Sequence, residues 1–138
     1  MKIEKNTTAI GKRKTAIAKA IIKTGKGKIT INDKLIENFP LFQKLSLQEP
    51  IILAEKILGN KIKEYDILVK VKGGGTESQV DAVRLSIARA IINETKNLEL
   101  KREYLKYDRM LLIADIRRKE QRKPNDSRAR AARQKSYR

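Results

Sequence analysis

Three consecutive glycines, Gly73-Gly74-Gly75, open a stretch that runs to Ile92 and reads GGGTESQVDAVRLSIARAII. Glycine lacks a Cβ, so this turn can take positive φ and admit a second backbone at close range. The helix-period pattern behind it aims unpaired N–H groups and the positive end of the helix dipole at the turn, an arrangement that holds a phosphate oxygen. Gln79, one turn into that helix, either reaches the same ligand or hydrogen-bonds the turn. The plainer alternative is a tight strand-to-helix turn with no ligand, since only glycine's freedom in φ follows directly from the residues.

Two cationic clusters offer related chemistry. Near the start, Gly11 leads into Lys12, Arg13 and Lys14, three adjacent positive charges that repel one another and favour an anion. Toward the end, residues 117–138 hold ten Lys/Arg against Glu120 and Asp126, a net +8 within a chain total of +17. Seven of the chain's twelve arginines lie there: Arg117, Arg118, Arg122, Arg128, Arg130, Arg133 and Arg138. Arginine offers a planar fork to phosphates and bases, so this segment is built for contacts rather than for a diffuse field. A nonspecific, solubilising extension is the alternative.

The charge and a pI near 10.2 recruit polyanions: nucleic acid, an acidic membrane surface or acidic proteins. Composition also excludes much. The chain has no cysteine and no histidine, which removes disulfides, thiolate metal sites, Cys nucleophiles and His-based triads or zinc sites. No apolar run reaches 18 residues and no charged-then-apolar leader is present, so the expectation is a cytoplasmic protein with no membrane span. At 138 residues the chain supports one core.

The elements that must position these clusters follow from periodicity. Thr15 to Lys23 alternates as a strand, with Ala16, Ala18, Ala20 and Ile22 on one face. Thr24 to Lys28 is a glycine-punctuated turn and Ile29-Thr30-Ile31 a short strand, which together predict a hairpin with a basic tip at Lys26 and Lys28. Ser46-Leu47-Gln48-Glu49 has capping-box spacing, Pro50 fits a first helical turn and Gly59 a helix end, predicting a core helix of two to three turns. Tyr65 to Lys72 alternates as a half-buried strand running into the glycines. In the long helix Val80, Val83, Ile87 and Ile91 form the buried stripe, widened by Leu85, Ala88 and Ile92. A narrow polar arc remains, holding Ala82, Ser86, Arg89 and Asn93, whose small residues let something come close. Arg89 there points to RNA, whereas Arg84 has Asp81 three residues before it as a partner. Leu98 to Lys106 can add a helical turn or two, and Met110 to Ile116 a closing strand. After Ile116 the apolar content collapses, so residues 1–116 read as a globular domain and 117–138 as a tail disordered when unbound. Fully extended, that tail spans on the order of 70 Å, against a radius of gyration of about 13 Å for the body.

Three separated motifs carry a resemblance. Gly11-Lys12-Arg13-Lys14-Thr15-Ala16-Ile17-Ala18, followed by Gly25-x-Gly27 and Ile31-Asn32, is the first. Gly73-Gly74-Gly75 with Ser78-Gln79, Ala82, Ser86 and Ala88-Arg89-Ala90-Ile91 is the second. Asp115-x-Arg117-Arg118-Lys119-Glu120 and Gln134-Lys135-Ser136-Tyr137-Arg138 form the third. In this order they resemble the universal small-subunit ribosomal protein nine family in its archaeal-like form. The chain departs from that family at Pro124-Asn125-Asp126-Ser127, where glycines are common.

The resemblance implies an α+β two-layer sandwich: a small sheet of about four strands packed on two main helices, a left-handed βαβ crossover, and an extended basic C-terminal tail. It implies a non-enzymatic structural protein of the small-subunit head, with ribosomal RNA and neighbouring ribosomal proteins as partners and no cofactor, metal, membrane or small-molecule substrate. Ribosomal RNA contacts would come from Lys12, Arg13, Lys14, Lys26, Lys28, Gly73, Gly74, Gly75, Gln79 and Arg89. Along the tail they would come from Arg117, Arg118, Lys119, Arg122, Lys123, Arg128, Arg130 and Arg133. Lys135, Ser136, Tyr137 and Arg138 would approach the peptidyl-site tRNA.

Two other classes fit parts of the sequence. A phosphoryl-transfer or RNA-processing enzyme could place Mg²⁺ on Asp81, Glu77 or Asp66, but neither P-loop spacing nor a dinucleotide fingerprint occurs. A free-standing nucleic-acid chaperone fits the charge equally well, although the KH loop and the RRM aromatic motif are both absent.

Overall fold

A computed structural model describes residues 6–125 and 128–131. The strands are β1 (Thr7–Arg13), β2 (Ala16–Thr24), β3 (Ile29–Ile31), β4 (Lys34–Leu35) and β5 (Tyr65–Lys72). The helices are α1 (Leu41–Leu58), α2 (Thr76–Thr95) and α3 (Leu98–Tyr107), with 3-10 turns at Ile36–Asn38, Gly59–Glu64 and Arg109–Leu111. The strands form one mixed sheet in the order β1-β2-β5-β3-β4. Only β3 and β5 run parallel, with α1 in the connection between them. The architecture is α+β with five strands and three α-helices among the described residues, rather than about four strands and two main helices, because Thr7–Arg13 and the two-residue β4 also pair.

Period-two alternation makes the sheet one-sided. Ala9 and Gly11 of β1, Ala16, Ala18, Ala20 and Ile22 of β2, and Ile67, Val69 and Val71 of β5 all turn inward and are buried. Over them lies α2, whose Val80, Val83, Ile87 and Ile91 are buried as its stripe predicts. The alanines of β2 let α2 sit close to the sheet. The strand Tyr65–Lys72, the glycine turn and α2 fall where periodicity places them, and α3 starts at an Asn97 cap that accepts from the N–H of Glu99 at 2.8 Å.

Four expectations are corrected. The basic-tip hairpin between β2 and β3 does not form, because β5 lies between them. The chain leaves β2, crosses the end of β5 and returns as β3; the Lys28 carbonyl accepts from the N–H of Ile67 at 2.8 Å. The first hairpin instead joins β1 and β2, with Arg13 opposite Ala16 across a two-residue turn, Lys14-Thr15. Its left-handed residue is Lys14 at φ 51°, not the Gly or Asn that marks such turns in a sequence.

Second, α1 begins at Leu41, and Pro50 lies inside it. Pro40 holds the N-cap position, and the Ser46 hydroxyl donates to the Phe42 carbonyl at 3.1 Å instead of capping. Third, Met110 to Ile116 makes no strand; Arg109–Leu111 is a 3-10 turn and irregular chain follows. Fourth, Ala82 and Ser86 are buried rather than part of an open arc. What comes close to them is Gly11 of β1: a Cβ there would lie 2.0 Å from the Ala82 carbonyl oxygen and 2.7 Å from the Ser86 nitrogen.

Candidate nucleic-acid interface

With α2 covering one side of the sheet, alternation turns a second set of side chains outward. Ile10 and Lys12 of β1, Ile17 and Lys19 of β2, and Leu68, Lys70 and Lys72 of β5 are all exposed. Register then sets their neighbours. Lys12 stands opposite Ile17 and Ile17 opposite Lys72; one pair along, Ile10 stands opposite Lys19 and Lys19 opposite Lys70. Directly opposed like charges destabilise a sheet by roughly 0.2–1 kcal/mol, so a face carrying four lysines around Ile10, Ile17 and Leu68 is eased by an anion. Lys19, Lys70 and Lys72 were not singled out from sequence. The signal was present in the same alternation that predicts the core, since every residue of β2 and β5 excluded from the inward set must face out.

The structure brings two predicted clusters together. Gly73 and Gly74 take φ 79° and 69°, and a Cβ on Gly73 would lie 2.5 Å from the Thr15 carbonyl oxygen. The second backbone admitted by the glycines is therefore the β1–β2 turn, which carries Lys14 to the glycine turn. Gln79 donates from Nε2 to the Gly73 carbonyl at 3.1 Å and so braces the turn. Gly75 differs: it has ordinary backbone, nothing within 4 Å of a Cβ, and caps α2 without a side-chain bond. Lys26 and Lys28 sit at the other end of β5, roughly 26 Å away along eight residues. Their N–H groups each donate to Asp66 Oδ1 at 2.8 Å, which holds that carboxyl below its ordinary range and leaves both ammonium groups exposed.

Several predicted arginines are engaged within the chain. Arg13 turns toward α2 and pairs with Asp81 at 3.5 Å and Asp115 at 2.7 Å. Arg89 donates from Nε to the Leu112 carbonyl at 2.9 Å and from Nη1 to the Ile10 carbonyl at 2.8 Å, tying the segment after α3 to β1. Arg84 pairs with Asp108 at 2.9 Å and with Glu49, not with Asp81. Asp115 also receives the Arg117 guanidinium, Nη2 to Oδ2 at 2.7 Å, and the Arg117 N–H at 2.9 Å. Those Arg117 hydrogen bonds, helped by Arg13, pull the Asp115 carboxyl down to about 2.

Beyond this junction Arg118, Lys119, Arg122, Lys123 and Arg128 are exposed on chain without helix or strand. Arg130 forks onto Glu120, with Nη2 to Oε1 at 2.7 Å. Arg133, Lys135, Ser136, Tyr137 and Arg138 lie outside the described residues.

The acids proposed for Mg²⁺ do not converge. Asp66 is taken by backbone N–H groups, Glu77 accepts from Gln43 at 3.2 Å, and Asp81 faces Arg13. Among the described residues no group of three or more His, Cys, Asp or Glu could hold a metal, and no helix is long and apolar enough to cross a membrane.

A strongly basic α+β domain whose polar groups brace its own turns and junctions, and whose cations are spread over an open face, belongs to the class of structural proteins rather than catalysts. Residues 11–138 match the family model described as Ribosomal protein S9/S16, and the chain belongs to that family. It is 52% identical over 132 residues to the small ribosomal subunit protein uS9 of Methanococcus vannielii, covering 94% of this chain and 96% of the relative. It is 49% identical over 130 residues to the protein of the same name from Picrophilus torridus, covering 94% and 95%. To that of Thermoplasma acidophilum it is 45% identical over 129 residues, covering 93% and 97%. Membership of a ribosomal-protein family also sets aside the enzyme reading: the chain is a structural protein.

Proposed function

We propose that this chain is a structural constituent of the small ribosomal subunit, seated in its head in the cytoplasm, and that it holds ribosomal RNA on its open sheet face. The observation that carries this reading is the juxtaposition of Lys12, Lys19, Lys70 and Lys72 on one uncovered face, with Lys19 and Lys70 directly opposed. Phosphates relieve that repulsion, and Ile10, Ile17 and Leu68 between the lysines suit riboses and base edges. The names of the relatives, small ribosomal subunit proteins, support the assignment.

Lys14 and Gly75 extend the RNA-facing surface at the glycine end, and Lys26 and Lys28 at the opposite end of β5. Arg13, Arg89 and Gln79 contribute mainly by positioning: they fix the hairpin, the segment after α3 and the glycine turn against α2. Residues 1–116 act as the seated body and 117–138 as a tail that runs between RNA segments. In the assembled particle Lys135, Ser136, Tyr137 and Arg138 reach the peptidyl-site tRNA, a contact with phosphates that every tRNA shares. The β3–α1–β5 crossover takes the left-handed form. Lys and Arg release counterions on binding, so affinity falls with salt by about 0.7–0.9 in log–log slope per phosphate, while RNA shape supplies specificity.

The test is sedimentation of the tagged chain from a cell lysate through a sucrose gradient with a salt wash. Stoichiometric migration with the small subunit that survives moderate salt is expected. A chain that stays at the top, or spreads over all nucleic acid and washes off early, contradicts the reading. Removing residues 135–138 is expected to weaken tRNA holding while leaving incorporation intact; loss of incorporation would contradict the division of labour.

A further inference from the structure

The outer side of α1 is apolar where an RNA-facing helix would be cationic. The helix turns Leu47, Pro50 and Ala54 inward, yet Phe42 is 83% exposed, Leu41 66%, Leu45 51% and Ile52 48%. At about 100° per residue, Leu41, Leu45 and Ile52 fall within roughly 40° of one line along the helix, a stripe about 16 Å long. Phe42 flanks its start. A run of large apolar side chains that the chain leaves uncovered marks a protein–protein contact more often than chance exposure, and a projecting aromatic is the usual anchor of such a contact.

Charge selects the partner. Residues 35–60 carry Glu37, Glu49 and Glu55 against Lys44 and Lys56, a net −1 inside a chain of +17. Lys44 and Lys56 are the stretch's two cations, too few to make the crowded positive surface seen on the sheet face, and Glu37 and Glu55 are both exposed. A phosphate backbone gains nothing on such a surface. A protein segment with apolar side chains and flanking Lys or Arg matches it in both respects.

We propose that the Leu41, Phe42, Leu45 and Ile52 face of α1 docks a neighbouring protein of the small subunit through an apolar contact with a basic rim. RNA is thereby left to the opposite side of the molecule, the open face of the sheet. This rests on the ribosomal reading above.

The experiment places the photo-crosslinking residue p-benzoylphenylalanine at Phe42 in the full chain, purifies small subunits from cells, irradiates them and identifies the adduct by mass spectrometry. One protein adduct of fixed identity is expected. With the crosslinker moved to Ile52, the double variant Phe42→Ser, Leu45→Ser should lower the yield of that same adduct at least tenfold while the chain still enters the subunit. If the chain enters the subunit but crosslinks to RNA, to a second copy of itself, to its own C-terminal segment or to nothing, the docking proposal is overturned and the ribosomal reading stands. If it never enters the subunit, both fall.

Discussion

Lys19 of β2 stands directly opposite Lys70 of β5, both exposed on the sheet face that α2 leaves open. Two ammonium groups directly opposed on one ladder repel, and alternation turns both outward because Ala18 and Ala20 beside Lys19, and Val69 and Val71 beside Lys70, turn inward to the core. Replacing both, Lys19→Ala with Lys70→Ala, should leave folding stability unchanged or raise it by up to about 1 kcal/mol. It should weaken binding to a ribosomal RNA fragment and flatten the log–log salt dependence by roughly 1.4, two phosphate contacts' worth. Filter binding over a salt series checks the second outcome and urea unfolding the first.

Gly11 and Gly75 should respond oppositely to alanine. At Gly11 the new methyl would meet the Ala82 carbonyl oxygen at 2.0 Å, backbone against backbone, with no flexible side chain to give way. Gly11→Ala should cost about 3 kcal/mol. Gly75 has open space around it, so Gly75→Ala should stay within about 0.5 kcal/mol of the parent. Urea denaturation of both variants measures the contrast.

Asp115 ties the chain after α3 to β1, binding Arg13 on one side and Arg117 on the other. Its carboxyl, drawn down to about 2 chiefly by Arg117, lies below the unfolded value of about 3.9. The stability it adds is therefore complete above about pH 4 and is lost as pH falls through about 2. At neutral pH, Asp115→Asn should free Arg117 and speed tryptic cleavage after Arg117 and Arg118, read from the masses of the released fragments. Unchanged cleavage would mean that the junction does not hold the tail's root.

Much of this was legible in the residues because the decisive signals were local. Tyr65 to Lys72 alternates cleanly, and the glycine turn and the long helix follow from periodicity and from the φ freedom that Gly73 and Gly74 need. The misses were non-local. Nothing near Ile29 says that β5, more than thirty residues later, will insert beside β2. Lys14 gives no turn signal although it takes the left-handed conformation. Pro50 reads as a helix start, yet α1 carries it in the interior, where its carbonyl accepts the Tyr104 hydroxyl at 2.5 Å. The site divided the same way. Charge predicts an anionic partner without saying where it would sit, but only register puts Lys19 beside Lys70. Only the packed fold revealed that Arg13 and Arg89, cationic and well placed in sequence, spend their donors on Asp115, Ile10 and Leu112.

Tyr104 offers a buried test of that α1–α3 contact. Burial raises its phenol above the ordinary tyrosine range, so its share of stability is present below about pH 10 and is lost as pH rises through the higher folded value. Tyr104→Phe should cost about 1 kcal/mol by removing the bond to Pro50. In an alkaline absorbance titration of the folded chain, a late phenolate transition from Tyr104 should appear, and it should vanish in the variant.

The central claim is that the uncovered face of the sheet is the surface that RNA occupies in the small subunit. Lysine acetylation read by mass spectrometry, on the free chain and on intact small subunits, tests it most directly. Lys12, Lys19, Lys70 and Lys72 should react readily in the free chain and become at least several-fold protected together in the subunit, with protection lost after ribonuclease treatment. If these four react equally in both states, or stay protected once the RNA is digested, the sheet face is not the RNA-binding surface.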